Sequence, residues 1–532
     1  MPGACCLKRR RRLVSRLYDT GRGRHVRCDR RAESGRLSPV DNPIDSMIND
    51  TRALTAELAI VGAGPAGLAA AEVAVAQGID VVVVDEQLRP GGQIYRQPPP
   101  AFQVKNWLTS SIYKTVRQLL ARVAETNRIR WLSQTTVLAV LPARTTPAAR
   151  GHKLILKDAD GSFHLDADCV LIASGCYDMP VVFPGANLPG VMATGGIQAF
   201  VKSQQLVPGE RFLFAGSHPL QLIVADQTVR AGGQVAGVIF SQPASTVFLL
   251  LKSAPLLIRH GAKLAYFTAA LVRLLIKGVP IRFSRTVKEA HGDQRLQRVD
   301  LVPVDAAGTV RAEAVESVDC DRLGICFGFL AASELARQAG ATPRWSAAGG
   351  GWLVDHDNWM RTGVTGLFVA GELTGVAGAD VSMLEGRLAG LGIARELNRI
   401  DGQRAERLAR ATRSRLSGAL RFAELLRGLA YPGKRLLRQL MTDSSLLCKC
   451  EEVSVADFKH CLTGHPFIDD ANGAKLISRV GMGLCQGRYC HYHLCGLVAD
   501  AAGVDEQEVR AFTARFPAKP VTIKALLNRG DD

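Results

Sequence analysis

One stretch, residues 58–85, constrains the fold more than any other part of the 532-residue sequence. An apolar run is followed by a turn reading Gly-Ala-Gly-Pro-Ala-Gly at residues 62–67, an Ala-rich segment, and a second apolar run that ends at Asp85. Strand, glycine turn, helix, strand and terminal acid stand in the order of a dinucleotide-binding βαβ unit. The pattern therefore predicts an α/β protein that binds a dinucleotide.

The residues of this turn have separate physical roles. Gly62 allows the tight turn, Gly64 lets the backbone approach a pyrophosphate, and Gly67 lets helix and strand pack closely. Pro65 and Ala66 lie at the start of the helix, whose N-terminus offers free N–H groups and the positive end of its dipole to phosphates. We therefore expect the turn to hold the phosphates of the dinucleotide.

The residues that follow the second strand extend the predicted cofactor site. Either Asp85 or Glu86 can accept hydrogen bonds from a ribose hydroxyl. Gly91, Gly92 and Gln93 come next, and a glycine pair at this point lets the backbone pass beside a bound flavin nucleotide. The segment predicts that the dinucleotide is a flavin.

Two later strands point to the same site. An apolar run at residues 169–172 ends in a turn of small residues that includes Ala173 and Gly175. A second nucleotide signature ends in Gly371 and Glu372. We expect this acid to reach the ribityl or pyrophosphate region while the next helix directs its N-terminus at the flavin.

Residues 211–240 repeat the strand–turn–helix–strand order in altered form. The turn keeps only its first glycine, has His218 where the motif has its second, and the closing strand ends in Ser241 without an acid. The pattern predicts a second nucleotide-binding fold without ribose-binding chemistry, so NAD(P) is not expected. His218 could be a ligand or a catalytic group, but we favour a tolerated substitution in a loop.

Six of the thirteen cysteines lie in one C-terminal stretch. Cys448 and Cys450 are separated by one residue, and Cys485 and Cys490 by four. Four thiolates in two close pairs suit either a [2Fe–2S] cluster or a structural zinc ion. The spacing favours the cluster, because zinc ribbons prefer two intervening residues. We interpret the other two, Cys461 and Cys495, as ordinary thiols.

The formal charge of +17 is unevenly distributed. Residues 1–46 contain twelve Lys and Arg against five Asp and Glu, without an apolar signal-peptide core. We interpret this segment as a disordered leader and expect the functional chain to begin at Met47, so nucleic-acid binding is not predicted.

The most apolar region, residues 247–276, is interrupted by charges, which predicts helices packed on a core rather than a membrane span. Clustered cysteines without a signal peptide favour the cytoplasm.

Together these motifs resemble the α subunits of bacterial multi-subunit amine dehydrogenases, a group that includes opine oxidase, hydrogen cyanide synthase and D-hydroxyproline dehydrogenase. The resemblance rests on residues 61–67, 91–96, 183–191 and, most specifically, 481–490, and it covers about residue 57 to the C-terminus. It implies a disulfide-reductase-like fold, FAD, and a small helical domain like that of bacterioferritin-associated ferredoxin with a [2Fe–2S] cluster on the four paired cysteines. It also implies a flavin-containing β subunit that oxidises the amine, and a small ferredoxin-like γ subunit. The second glycine turn and residues 1–46 depart from the family pattern.

The predicted domains are a discontinuous FAD-binding domain (residues 55–185 and 318–400), a degenerate nucleotide-binding domain (186–317), a helical linker (401–446) and the cluster domain (447–532). Two functions remain open at this stage. The chain could belong to an enzyme that passes electrons from an amino acid or opine through flavin and cluster to an acceptor. It could instead be an electron-relay or assembly subunit, because the sequence shows no constellation that marks a general base.

Overall fold

The computed structural model describes residues 53–99, 101–102, 113–142, 151–246, 260–311 and 313–527. The chain divides into two units between Ser46 and Met47, and all described residues belong to the second unit. The predictions made for residues 1–46 and for the start at Met47 therefore lie outside the described residues.

Strands are interspersed with helices along the described chain. They are β1 (Ala53–Val61), β2 (Val81–Val84), β3 (Ile129–Leu132), β4 (Thr136–Pro142), β5 (His152–Lys157), β6 (Ser162–Ile172), β7 (Cys176–Asp178), β8 (Val191–Ala193), β9 (Arg211–Gly216), β10 (Gln234–Phe240), β11 (Ile281–Arg282), β12 (Arg285–His291), β13 (Arg298–Pro303), β14 (Glu316–Asp319), β15 (Arg322–Cys326), β16 (Phe329–Ala331), β17 (Pro343–Ser346), β18 (Gly351–Val354), β19 (Leu367–Val369), β20 (Leu446–Cys448) and β21 (Val453–Ser454).

The helices concentrate in the C-terminal third. They are α1 (Pro65–Ala76), α2 (Lys114–Ala124), α3 (Thr194–Ala199), a π-helix (Phe200–Gln204), α4 (Leu220–Arg230), α5 (Gly261–Ile276), α6 (Glu334–Gln338), a 3₁₀ helix (Glu372–Thr374), α7 (Ala379–Glu396), α8 (Gly402–Ala430), α9 (Lys434–Leu440), α10 (Val455–Thr463), α11 (Ala471–Ser478), α12 (His491–Ala502) and α13 (Ile523–Leu527).

The first sheet carries the glycine turn predicted from the sequence. Its strand order is β3-β2-β1-β6-β5-β4, with β19 paired to β6. Strands β3, β2, β1, β6 and β19 are parallel, whereas β4, β5 and β6 form an antiparallel meander. All four valines of β2 are buried. Val81 and Val83 belong to the core that includes α1, and Val82 and Val84 to a second core built with the strands of the meander.

Helices α1 and α7 cross in close contact on one face of this sheet, and small residues make the contact possible. A side chain at Gly386 of α7 would place its Cβ 2.1 Å from the carbonyl oxygen of Ala66, and one at Gly390 would place it 2.9 Å from that of Ala70. The Ala-rich α1 is therefore buried between the sheet and α7, and its N-terminus lies beside the start of α7.

The second sheet is parallel, in the order β11-β10-β9-β15-β8, and a three-stranded antiparallel sheet of β12, β13 and β14 accompanies it. The predicted boundary at residue 318 is wrong here. Strand β15 pairs with β9 and β8, so the chain returns to the first domain only after Cys326. Apolar periodicity identifies a buried strand but does not say which of two sheets it joins.

Helix α5 lies in the apolar region for which the sequence predicts helices packed on a core. Its Leu274 is buried in the core of the second sheet, but Ala270 and Leu274 are the only buried residues of the helix, and its outer face exposes Leu275 by 56% and Ile276 by 77%. Residues 247–259 lie outside the described residues. None of the helices in the described ranges combines the length and apolar composition that a membrane crossing requires.

The C-terminal helices form a core of their own but pack firmly on the rest of the chain. Asp401 caps α8 by accepting the N–H of Arg404 at 2.8 Å. Beyond α9, a ring nitrogen of the fully buried His493 lies 2.7 Å from the carbonyl oxygen of Pro180, and Lys449 donates to the carbonyl of Ala186 at 2.6 Å. The expected separate domain is therefore held by polar contacts against the segment around residues 180–186, where the chain passes from the first nucleotide-binding unit to the second.

Candidate functional site

The glycine turn between β1 and α1 has the geometry of a phosphate cradle. Gly62 has φ of 103°, a conformation that side chains disfavour. A Cβ at Gly67 would lie 2.0 Å from the carbonyl oxygen of Gly62, so helix and turn touch through their backbones. Within the described residues no side chain caps α1, which begins after Gly64 with Pro65 at its first turn. Its N–H groups and positive dipole end are free to bind an anion.

A second loop, residues 91–96, packs directly against this turn and is called the flavin loop below. Gly91 donates its N–H to the carbonyl of Ala63 at 2.8 Å. A Cβ on Gly92 would lie 2.8 Å from the Cα of Gly64. Gln93 is exposed and accepts a hydrogen bond from Arg96 at 2.6 Å. The glycine pair thus brings two backbone segments within van der Waals contact. The predicted passage of this backbone beside a flavin stays a prediction.

The two acids after β2 have different surroundings. Asp85 accepts the N–H of Ala63 at 2.5 Å and that of Gln87 at 2.7 Å, and burial raises its pKa. Glu86 is paired instead with Lys519 from the C-terminal region. Asp85 therefore fixes the glycine turn, and the free lone pairs of its oxygens remain available to a ribose hydroxyl.

The two small-residue turns predicted to join the site lie on either side of the cradle. A Cβ at Gly62 would lie 2.5 Å from the carbonyl oxygen of Ala173. Gly175 accepts the N–H of Ala332 at 3.0 Å. A Cβ at Gly371 would lie 3.0 Å from the Cβ of Ala66. The structure therefore brings the predicted residues together around the N-terminus of α1.

Glu372 lies in this cradle beside a second acid that the sequence reasoning missed. Glu372 accepts the N–H groups of Ala377 at 3.2 Å and Gly378 at 2.7 Å. Glu385, 5% exposed on α7, accepts the N–H of Gly371 at 2.8 Å. Burial raises the pKa of Glu372, and it raises that of Glu385 to about 7. The sequence signal for Glu385 was an acidic residue between small and apolar residues on a helix that is largely buried.

Glu385 makes the stability of the apo-protein depend on pH. Because its pKa rises from 4.5 to about 7 on folding, the native state holds a proton that the unfolded state has lost between these values. The contribution of Glu385 to stability should therefore fall by about 3 kcal/mol as pH rises through this window. We expect Glu385→Gln to remove this contribution, so that the stability of the variant relative to the wild type is higher at about pH 8 than at about pH 5, measured by thermal unfolding.

The matched control for this prediction is Glu210→Gln, at an exposed acid on the loop before β9. It should keep the wild-type dependence on pH. Equal slopes in Glu385→Gln and in the wild type would contradict the assignment.

In the second turn, after β9, the side chain of His218 occupies the N-terminus of the following helix. The Nδ1 atom of His218 accepts the N–H of Leu220 at 3.2 Å, at the start of α4. The imidazole lies edge-on to Phe329 with ring centroids 5.0 Å apart, and burial lowers its pKa to about 4. A neutral imidazole therefore satisfies the helix N-terminus that a nucleotide phosphate would use, which supports a structural role for His218.

The four paired cysteines converge, although they are distant in sequence. The thiols of Cys448 and Cys490 are hydrogen-bonded to each other, and so are those of Cys450 and Cys485. The first pair is buried and the second is nearer the surface. A Cβ at Gly483 would lie 2.2 Å from that of Cys450, so a glycine is required where the loop passes over the thiol.

Backbone N–H groups surround the buried cysteine pair. Hydrogen bonds from Cys490 and from the N–H groups of Gly481, Glu451 and Cys450 lower the pKa of Cys448 to about 5. Such donors stabilise thiolates and tune iron–sulfur centres. Among the described residues, no three His, Cys, Asp or Glu side chains stand in the arrangement of an assembled metal site. The described geometry is that of two hydrogen-bonded thiol pairs, and thiolate is the type of donor that iron–sulfur and zinc centres use.

Two consecutive sheets each contain a run of parallel strands, the first with a free glycine cradle and the second with a filled turn. This arrangement defines a fold with two dinucleotide-binding units. Residues 56–389 match the family described as pyridine nucleotide-disulphide oxidoreductase, and the chain belongs to it. Membership implies FAD binding. The predicted disulfide-reductase-like fold is thereby confirmed, and the resemblance to subunits of opine oxidase and hydrogen cyanide synthase is confirmed by the relatives below. The [2Fe–2S] character of the C-terminal helical region stays a prediction.

The chain resembles subunits of multi-subunit oxidoreductases. It is 30% identical to hydrogen cyanide synthase subunit HcnB of Pseudomonas aeruginosa, over 89% of this chain and 98% of that protein. It is 30% identical to one of the subunits of opine oxidase from Rhizobium meliloti, over 87% and 96%. Among solved structures, L-proline dehydrogenase from P. horikoshii superposes with a TM-score of 0.64 at 19% identity, over 89% of this chain and 80% of that one. The chain is a flavin-dependent oxidoreductase by its family, and these relatives are subunits of larger enzymes.

Proposed function

We propose that this subunit carries electrons from the oxidation of an amino acid or opine-type amine through FAD and a [2Fe–2S] cluster to an acceptor. The observation that carries the proposal is the convergence of four thiols in a chain that also holds the glycine cradle. Flavin accepts a two-electron hydride and releases single electrons, which an iron–sulfur cluster can carry.

The residues of this chain would hold the cofactors as follows. The turn at residues 62–67 and the free end of α1 would bind the pyrophosphate, and Asp85 would accept a hydrogen bond from a ribose hydroxyl. Glu372, held by two backbone N–H groups, would receive the ribityl hydroxyls. Cys448 and Cys490 would ligate one iron, and Cys450 and Cys485 the other. Lys449 anchors the loop between the first two ligands on Ala186, which restrains their position.

A relay or assembly role is the second candidate, and the state of the acids supports it. The carboxylates that meet at the cradle, Asp85, Glu372 and Glu385, already accept backbone N–H groups. None of these three is free to serve as a general base toward an amine. We infer that a flavin-containing β subunit oxidises the substrate and that a small ferredoxin-like γ subunit belongs to the same complex. The relatives are themselves named as subunits.

Anaerobic purification followed by a visible spectrum and by iron and acid-labile sulfide assays tests the cofactor content. We expect flavin bands, a broad iron–sulfur shoulder and about two iron atoms per chain. Flavin with zinc and no sulfide would contradict the cluster. Turnover of an amine with a dye acceptor by the chain alone separates the two functions: activity favours the enzyme, and its absence together with full cofactor content favours the relay. Titration with NADH or NADPH should leave the flavin oxidised.

A further inference from the structure

Lys202 reaches the flavin loop from the other nucleotide-binding unit. It lies on the π-helix Phe200–Gln204, which follows α3, and single π turns inside helices are often functional sites. Its ammonium donates a hydrogen bond to the carbonyl oxygen of Ile94. Ile94 is two residues after Gly92 and hence within about 8 Å of it along the chain. Lys202 is therefore hydrogen-bonded directly to the flavin loop, which packs on the glycine turn.

One aromatic ring lies close to this ammonium and is itself in contact with two further tyrosines. It lies 5.3 Å from the ring centroid of Tyr113. Tyr113 makes edge-on contacts with Tyr95 at 6.1 Å and with Tyr266 of α5 at 6.4 Å between ring centroids. A cation over an aromatic face is stabilised, but by much less than water provides. The site favours a positive charge only moderately.

No carboxylate balances this charge within the described part of the chain. The nearby Asp380 is paired with Lys263 at 2.7 Å, and the ionic contacts of the described residues give Lys202 no Asp or Glu within 4.0 Å. Arg230 acts on Tyr113 and adds positive potential. Burial lowers the pKa of Lys202 to about 8. A half-buried cation without a counter-ion beside a cofactor loop is costly unless another negative group is present.

We propose that Lys202 is a positioning residue for the flavin, holding the flavin loop in place and favouring two-electron reduction of the bound cofactor by its positive charge. The inference rests on the proposed function, because it requires FAD in the cradle. Reduction adds negative charge to the flavin, and a fixed cation in a water-poor site stabilises added negative charge more than it would in water. The ammonium needs no other counter-ion when the flavin is reduced.

The test compares the anaerobic holoproteins of the wild type, Lys202→Met and Lys202→Arg by equilibration with a redox dye. We expect Lys202→Met to lower the ratio of reduced to oxidised flavin about tenfold at a fixed dye potential, which for a two-electron couple is about 30 mV. Lys202→Arg should retain the ratio within about twofold, since it keeps the charge. Lys277→Met, at an exposed lysine just beyond α5, is the control and should leave it unchanged.

Repeating the comparison at high pH gives a signature that a structural role does not produce. Lys202 is charged below its pKa of about 8, so the difference between wild type and Lys202→Met should be full at about pH 7 and nearly absent at about pH 9.5. The facing tyrosines stay neutral throughout, because burial raises the pKa values of Tyr95 and Tyr113. Asp380, which lies near Tyr95, is held in an ion pair with Lys263.

The outcomes separate this inference from the proposed function. An unchanged flavin potential in Lys202→Met with FAD bound would overturn the inference and leave the function standing. Faster loss of FAD with an unchanged potential would also overturn it, because the lysine would then act on the loop alone. A wild-type chain that binds no FAD would overturn both.

Discussion

Replacing Gly64 by alanine should abolish FAD binding while leaving the apo-protein folded. Gly64 has φ of −78° and ψ of −174°, a conformation open to alanine. A Cβ there would meet nothing in the protein nearer than the Cα of Gly92 at 3.9 Å, so it would point into the space that the cofactor occupies. We expect an affinity loss of at least ~100-fold, about 2.7 kcal/mol, measured by flavin fluorescence titration.

Gly67 provides the opposite case in the same turn. A Cβ at Gly67 would lie 2.0 Å from a backbone oxygen and 3.1 Å from a side-chain carbon of Ile60, so the protein itself has no room for it. Gly67→Ala should lower the unfolding free energy by about 3–5 kcal/mol, in the range of severe core substitutions. Chemical denaturation of the apo-protein measures the loss, and FAD binding should fall with it.

Gly418→Ala controls for glycine replacement itself. Gly418 lies inside α8 with nothing within 4 Å of an added Cβ, and alanine there should stabilise the helix by up to about 1 kcal/mol. If Gly64→Ala destabilised the apo-protein as much as Gly67→Ala, the cradle would be a packing feature. Unchanged FAD affinity in Gly64→Ala would show that the cofactor does not approach this backbone.

The parts of the site that the sequence predicted depend on local geometry. The turn at residues 62–67 must have glycines wherever its backbone touches another backbone, and such requirements are visible as residue types at fixed spacing. The same holds for Gly91 and Gly92, where added side chains would collide with the backbone of Tyr95 and of Gly64. Local constraint of this kind is readable without knowledge of the rest of the fold.

The parts that the sequence did not predict depend on contacts between distant residues. Lys202 and Ile94 are 108 positions apart, and nothing about a lysine after an apolar helix indicates a partner carbonyl. Strand β15 has the composition of a buried strand in either sheet. Helix α5 is as apolar as a core helix, yet most of that apolar surface is exposed, because amphipathic patterning cannot say whether the covering surface belongs to this chain.

Serine substitution at any of the four paired cysteines should remove the metal centre. We expect Cys448→Ser, Cys450→Ser, Cys485→Ser and Cys490→Ser each to contain less than about a tenth of the iron and sulfide of the wild type, since a hydroxyl is a poor substitute for a thiolate. Cys461→Ser and Cys495→Ser are the matched controls and should keep both. Iron retained in the first set, or lost equally in the controls, would refute the ligand assignment.

The two cysteine pairs differ in burial, so the four serine variants should differ in stability. Cys448 and Cys490 are 1% and 0% exposed, so a serine there buries a hydroxyl and should also lower stability by about 1–3 kcal/mol. Cys450→Ser lies at the surface and should cost little beyond the metal. FAD should remain bound in Cys485→Ser, because the C-terminal region meets the cradle through the exposed pair of Lys519 and Glu86, and exposed pairs contribute little. Loss of FAD together with iron would mean that the two cofactor sites are energetically coupled through the packed interface at Pro180 and Ala186.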